Sequence, residues 1–330
     1  MKLSFITFGG RTIGTGHLFR CLAIVDWVEK LNFDFDISFH LFDSAGEDQK
    51  IALEILQERS NYPCFIENEI TIKKIKFDRV VIDLLNVPIE LMRVVKSNSD
   101  FTVSIDNTLK SRDLCDISIN PLYYTIEKEK KSHDYVGPKF QIISNKFFDR
   151  TSIWKKNLEK VVIVQGGSDP YEITPKIVRN LKSLAIQEKI ELHVVIGPAA
   201  KKSDDLLDYS NQCPEKIIIH NNIIEMSDFL VNIDLAICSI GIISFEIASM
   251  GIPAIHITGV KKELETSKSM SDLGVSIDLG MYDTSLNKIN KIVSKMINNA
   301  PIRKRMRDNC FQNFNIRSSK NLIELIAKGE

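Results

Sequence analysis

The chain has 330 residues, with 43 basic side chains against 43 acidic ones, and 44% of its residues are hydrophobic. Balanced charge excludes an extended basic stripe for nucleic acid, and the apolar content excludes a disordered chain. The length exceeds the roughly 250–300 residues at which single cores stop growing, so about two domains are expected. The basic runs Glu127–Lys131 and Arg303–Arg307 are short and read as solvated helix faces or loops. Cysteines 21, 64, 115, 213, 238 and 310 form no CxxC pair, which argues against a disulfide framework or a zinc knuckle. Met1-Lys2 runs directly into a strand with no secretory signal, and no apolar stretch reaches the roughly 18 residues of a membrane span. Reduced thiols and the lack of an export signal point to the cytoplasm; no transmembrane segment is expected, and a monomer or weak dimer is.

Leu3–Phe8 is apolar and rich in aromatic and branched residues, and it reads as a buried strand. Gly9, Gly10, Gly14 and Gly16 break the chain into a loop. Leu18–Leu31 resumes at helical period, with Leu18, Cys21, Leu22, Val25 and Val28 on one stripe. His17 therefore lies at the carboxyl edge of a strand and the amino end of a helix. Ligands bind at that edge in open α/β sheets, and a helix start offers free N–H groups to anions. A histidine there exchanges protons near neutral pH or simply caps an ordinary loop.

Strands follow at Asp36–Leu41, Arg79–Asp83, Phe101–Ile105 and Ile117–Ile119, with helices at Leu18–Leu31, Gln49–Glu58 and Pro88–Lys96. Asp83 and Asp106 end buried strands, where a carboxylate faces a ligand crevice or caps the next turn. The second half begins afresh. Lys160–Gln165 reads as a strand, Gly166-Gly167-Ser168-Asp169-Pro170 as a turn and Thr174–Leu184 as a helix. Strands continue at Ile190–Ile196, Lys216–Ile219, Leu235–Cys238 and Ala254–Ile257. Ser239-Ile240-Gly241-Ile242-Ile243 leads into a helix over Ser244–Met250 that carries Glu246. That small-residue turn exposes a helix start suited to a diphosphate, and Glu246 is placed to accept from vicinal hydroxyls or to pair with a neighbour.

Two βαβ modules of similar size predict an α/β fold with two doubly wound, Rossmann-like domains facing across a cleft. The expected bounds are residues 1–150 and 151–311, with a helix over 312–330 returning to the first domain.

These segments in order resemble one family. Gly14-Thr15-Gly16-His17 with Arg20-Cys21-Leu22-Ala23 resembles its GxGHxxRCLxLA motif. Ile105-Asp106 with Arg112, Asp116 and Asn120 resembles IDDxxxRxxxxDxxxxN, and Tyr135 to Phe140 resembles YxxGPKY. Gly166 to Pro170 resembles GGTDP, and Ser239 to Glu246 with Gly251-Ile252-Pro253 resembles its nucleotide loop. The family is the UDP-2,4-diacetamido-2,4,6-trideoxy-β-L-altropyranose hydrolases of pseudaminic acid biosynthesis, with the related spore-coat polysaccharide proteins. It is similar in fold to the GT-B glycosyltransferase that adds N-acetylglucosamine to a lipid-linked peptidoglycan precursor.

The resemblance implies a GT-B fold and a UDP-sugar substrate, with no cofactor and no metal. It implies that His17 activates water, with Gly14, Thr15, Gly16, Arg20, Asp83 and Asp106 around the sugar. Gly166, Gly167, Ser168, Ser239, Gly241, Ile242, Ile243 and Glu246 would hold the nucleotide. The chain departs from the pattern at three places. Asn107 replaces the second aspartate of IDD. Ile240, Ile242 and Ile243 stand in a loop that is commonly SAGGTTxWE. Lys262-Glu263 stands where the family often has Asn-Gln. A GT-B glycosyltransferase, a UDP-sugar 2-epimerase and a non-catalytic sugar-nucleotide sensor are the rival readings.

Overall fold

A computed structural model describes residues 1–42, 46–122 and 131–329. The chain divides into two compact units, Met1–Asn145 with Ile316–Glu330, and Lys146–Asn315. Of the basic run Glu127–Lys131, only Lys131 falls within the described residues.

The first unit carries β1 (Lys2–Thr7), α1 (Gly16–Lys30), β2 (Asp36–Phe42), α2 (Gly46–Arg59), β3 (Cys64–Glu67), α3 (Glu69–Ile72), β4 (Phe77–Asp83), α4 (Ile89–Ser97), β5 (Ser99–Ile105), β6 (Ile117–Asn120) and β7 (Asp134–Val136). The strands form a parallel sheet in the order β3-β2-β1-β4-β5-β6-β7. The order reverses between β1 and β4, where Thr7 lies in register with Asp83. Parallel strands buried on both faces need near-continuous apolar runs. Leu3, Phe5, Ile6, Val80, Val81 and Ile82 supply them, each with 0% exposure.

The second unit carries β8 (Lys160–Val164), α5 (Ile173–Glu188), β9 (Glu191–Ile196), α6 (Asp204–Gln212), β10 (Ile217–Asn221), α7 (Met226–Leu230), β11 (Leu235–Cys238), α8 (Ile242–Ser249), β12 (Ala254–Thr258), α9 (Leu264–Asp272), β13 (Ser276–Met281), α10 (Tyr282–Ser285), α11 (Ile289–Ile297) and α12 (Ala300–Asn313). Its parallel sheet runs β10-β9-β8-β11-β12-β13 and reverses between β8 and β11. One face of that sheet packs Val161, Ile163, Leu192, Val194, Ile255 and Ile257 against α5 and α11.

The described chain ends in two helices, the second of which, α13 (Ile316–Lys328), falls within the 312–330 span. Phe314, between α12 and α13, leaves helical geometry with φ −118° and ψ 89°. α13 docks on the first unit, with its Ser319 hydroxyl donating to the Gln141 carbonyl at 3.2 Å. The Arg79 guanidinium closes the helix end by donating to the Ile326 and Lys328 carbonyls at 3.1 and 2.9 Å. The expectation that Arg303–Arg307 forms a solvated face holds for Lys304 and Arg305, which are exposed, but not for the arginines at its two ends. Arg303 is 0% and Arg307 8% exposed. Arg303 donates to the Met296 and Lys156 carbonyls, and Arg307 to the Ser152 and Gly251 carbonyls. A guanidinium carries five donors on a long stem, so it can bind buried loop carbonyls into a core.

Candidate functional site

The loop between β1 and α1 sets the position of His17. Gly14 takes φ 84°, and its carbonyl accepts from the Gly10 N–H at 3.0 Å, which folds the loop back on itself. Gly9 lies so close to α1 that a Cβ there would meet Leu18 Cδ1 at 2.6 Å. Gly16 and His17 then form the first turn of α1, and Thr15 is the residue before it with its side chain 2% exposed. The Phe8 ring stacks on the imidazole with centroids 5.1 Å apart.

His17 Nδ1 lies 2.6 Å from Asp83 Oδ1 at the end of β4. Arg20, one turn along α1, donates from Nε to Asp83 Oδ2 at 2.7 Å and from Nη2 to Asp83 Oδ1 at 2.6 Å. The same Nη2 lies 2.6 Å from Asp106 Oδ2 at the end of β5. Burial works against a charge on Asp83, but Arg20 and His17 outweigh it and hold its carboxyl below the ordinary range. Burial likewise opposes the charge on Arg20, and Asp106 and Asp83 reverse that and raise its guanidinium further. An ionised carboxylate only accepts hydrogen bonds. His17 Nδ1 is therefore the donor of this contact, and in the neutral imidazole the lone pair is then on Nε2. The His17 side chain keeps 13% exposure, against 0% for Asp83 and 2% for Arg20.

The choice between Asp83 and Asp106, open in the sequence, is thus decided by geometry. Asp83 orients His17, and Asp106 shares Arg20. Asp106 has φ 57°, in the left-handed region, and its Oδ1 has no partner among the described residues. Arg20, expected among the substrate contacts, instead directs its donors to the two buried carboxylates. His17, Asp83 and Asp106 place ligand-type atoms within 4.8 Å of one another. A cation there would have to displace the guanidinium that already neutralises the carboxylates, so the donor set does not fit one. Phe8 was not signalled by the sequence, because an aromatic residue ending a strand reads only as core.

In the second unit the two glycine turns adjoin at the carboxyl ends of β8 and β11. A Cβ on Gly166, which has φ 72°, would lie 3.5 Å from Ser239 Oγ. Gly167 lies against Gly197, and its carbonyl accepts from the Ala199 N–H at 2.8 Å. Ser168 is 5% exposed. Gly241 precedes α8, Ile242 and Ile243 form its first turn, and the Ser244 hydroxyl donates to the Gly241 carbonyl at 2.7 Å. Glu246 lies in the second turn of α8, half-buried. Burial pushes the Glu263 carboxyl up to about 7, against the pull of Lys262 and of the Val260 and Gly259 backbone.

Two parallel doubly wound sheets with these helices form a GT-B fold. MurG of Acinetobacter baumannii superposes with a TM-score of 0.67 at 14% identity over 99% of this chain and 100% of that one. The UDP-GlcNAc 2-epimerase of Neisseria meningitidis, bound to UDP-GlcNAc, gives 0.62 at 11% over 100% of both. WaaG, a glycosyltransferase involved in lipopolysaccharide biosynthesis, gives 0.57 at 10% over 99% and 98%. At such identities the likeness is one of fold. By sequence, the chain is 24% identical over 293 residues to the spore coat polysaccharide biosynthesis protein SpsG of Bacillus subtilis, covering 85% of this chain and 84% of SpsG. It is 30% identical over 276 residues to an uncharacterized protein of Methanocaldococcus jannaschii. That match covers 77% of this chain but only 55% of the relative's length. No family model matches. No helix of the described residues is long and apolar enough to cross a membrane.

Proposed function

We propose that the chain is a UDP-sugar-dependent enzyme of polysaccharide biosynthesis that transfers the sugar from the diphosphate to an oxygen nucleophile. His17 Nε2 takes the proton from the attacking O–H, a bond forms from that oxygen to the anomeric carbon, and UDP leaves with the bonding pair. The observation that carries this reading is the 2.6 Å contact between His17 Nδ1 and the acceptor-only Asp83 carboxylate. It fixes the tautomer a general base needs. The start of α8 supplies backbone donors for the diphosphate, and Glu246 holds the ribose.

The nucleophile in this reading is a saccharide hydroxyl, supported by the GT-B neighbours and by the name of SpsG. Hydrolysis of a UDP-linked diacetamido-trideoxy sugar is the second reading, supported by the ordered motifs from Gly14 to Pro253. Epimerisation is supported by the fold neighbour that holds UDP-GlcNAc. Incubation with a panel of UDP- and CMP-linked sugars, with and without oligosaccharide acceptors, separates the three. UDP release that requires acceptor is the expected result. Free sugar plus UDP without acceptor establishes hydrolysis, and an altered sugar still on UDP establishes epimerisation. No turnover and no UDP binding across the panel would overturn the proposal.

A further inference from the structure

The glycine loop that carries His17 is held from outside by α2. Gly10 and Gly14 form an isolated antiparallel bridge, so Arg11, Thr12 and Ile13 are the tip of a small hairpin. Asp48 lies in the first turn of α2. Its Oδ1 accepts from the Arg11 N–H at 2.7 Å and, at longer range, from the Thr12 N–H at 3.4 Å. The approach is close, because a Cβ on Gly10 would lie 2.4 Å from the same Oδ1. The Arg11 guanidinium also meets Glu47 at 2.8 Å, but the Glu47 side chain is 62% exposed, so water screens that pair.

An acidic residue in the first turn of a helix ordinarily serves its own helix, through the N–H groups or the dipole. Asp48 gives an oxygen to a loop 37 residues earlier in the chain. That loop has little stiffness of its own. Gly9, Gly10, Gly14 and Gly16 lie in it, and glycine has the most backbone freedom to lose. The start of α1 is also weakly fixed, because Thr15 makes no side-chain cap hydrogen bond to it. Gly14, Thr15 and Gly16 lead from the hairpin straight into His17, in the first turn of that helix. The hairpin thus joins Phe8 to His17, whose rings stack 5.1 Å apart. A displaced tip is passed along its second arm to the imidazole that meets Asp83 at 2.6 Å.

We infer that Asp48 is a positioning residue, which acts through the backbone of the glycine loop to keep His17 in the setting that pairs Nδ1 with Asp83. Its effect on turnover rests on the general-base reading of His17, whereas its effect on the loop and the ring does not.

Amide hydrogen exchange at Arg11 and the ring nitrogen shifts of His17 are measured in the substrate-free protein, with steady-state turnover beside them. In Asp48→Ala the Arg11 amide is expected to exchange roughly tenfold faster, through local opening. The His17 ring is expected to move from the Nδ1–H pattern toward that of a free imidazole. Turnover is expected to fall roughly tenfold with KM within about twofold, since misplacing a reacting group costs rate rather than uniform binding. Asp48→Asn keeps an acceptor oxygen and is expected to recover most of each loss. Glu47→Gln removes only the exposed pair and is expected to change none of the three. Gly10→Ala drives the carboxylate off from the loop side and is expected to reproduce the losses, which provides the test again if Asp48→Ala does not fold. Parent-like exchange and ring shifts without the Asp48 carboxylate, equal losses in Glu47→Gln, or losses that follow the melting temperature with no recovery in Asp48→Asn would each overturn the inference. So would unchanged turnover in Asp48→Ala where His17→Asn is inactive. A fully active His17→Asn protein removes the general-base reading and leaves exchange and ring shifts to decide the role of Asp48.

Discussion

His17 combines a fixed tautomer with a partly exposed ring. Removing the base while keeping the shape isolates the proposed step. His17→Asn is expected to lower turnover by roughly 100-fold or more, because positioned proton transfer contributes factors of that order. UDP affinity by calorimetry is expected to stay within twofold, since the residues proposed for the nucleotide lie in the other unit. A fully active, folded His17→Asn protein would remove the general-base role. Asp83 has a different weight. It pairs with Arg20 through two nitrogens and with His17 through a third. Asp83→Asn leaves a buried guanidinium short of charge, an error that typically costs about 3–5 kcal/mol. It is therefore expected to lower the urea midpoint as well as turnover, whereas His17→Asn lowers turnover alone.

At the scale of an element, α8 joins binding to packing. Phe245 and Ile247 are 0% exposed and fix the helix against the core, which leaves Glu246 as the half-buried carboxylate of its second turn. Glu246→Ala is expected to weaken UDP binding by about 1–3 kcal/mol through loss of a charged hydrogen bond to ribose. Unchanged affinity by calorimetry, with the melting temperature intact, would take Glu246 out of the site. The turn that follows α8 is constrained for another reason. Gly251 has φ 73°, a left-handed conformation that favours glycine, and a Cβ there would lie 2.2 Å from Phe311 Cζ on α12.

For the whole molecule, acid sensitivity follows from two buried groups. His256 on β12 is 0% exposed, neither ring nitrogen has a partner among the described residues, and burial lowers its pKa to about 3. Between its ordinary value of 6.5 and about 3 the unfolded chain binds a proton that the native state does not, so stability falls as pH drops through that window. The loss at pH 5 is about 2 kcal/mol for a group of that shift. Asp83 acts later. Its stabilisation is complete above the ordinary carboxylate range and disappears only as pH falls through its depressed native value. Urea titrations at pH 7.5 and 5.0 are expected to show most of the early loss abolished in His256→Leu. An equal loss in the variant would show that His256 does not carry it.

The strands that the sequence made legible are those whose own composition decides them. Leu235–Cys238 appears with the expected bounds, and β1, β4, β5 and β8 fall within two residues of theirs, because strands buried on both faces must be continuous apolar runs. Of the edge strands, β10 was legible as Lys216–Ile219 but the others escaped the reading. β3, β7 and β13 have solvated or mixed positions, so only pairing with β2, β6 and β12 makes them strands. The glycine turn and His17 were visible because φ > 0 and close backbone approach restrict residue type locally. The partner of His17 was not. Asp83 and Asp106 both end parallel strands, and nothing in their local sequence separates them. The register of β4 between β1 and β5, together with the one-turn offset of Arg20 on α1, put Asp83 on the imidazole and left Asp106 on the guanidinium. Burial of Arg303 and of Arg307 was equally invisible. A charge is placed inside or outside by what packs around it, and only the tertiary structure brings those neighbours together.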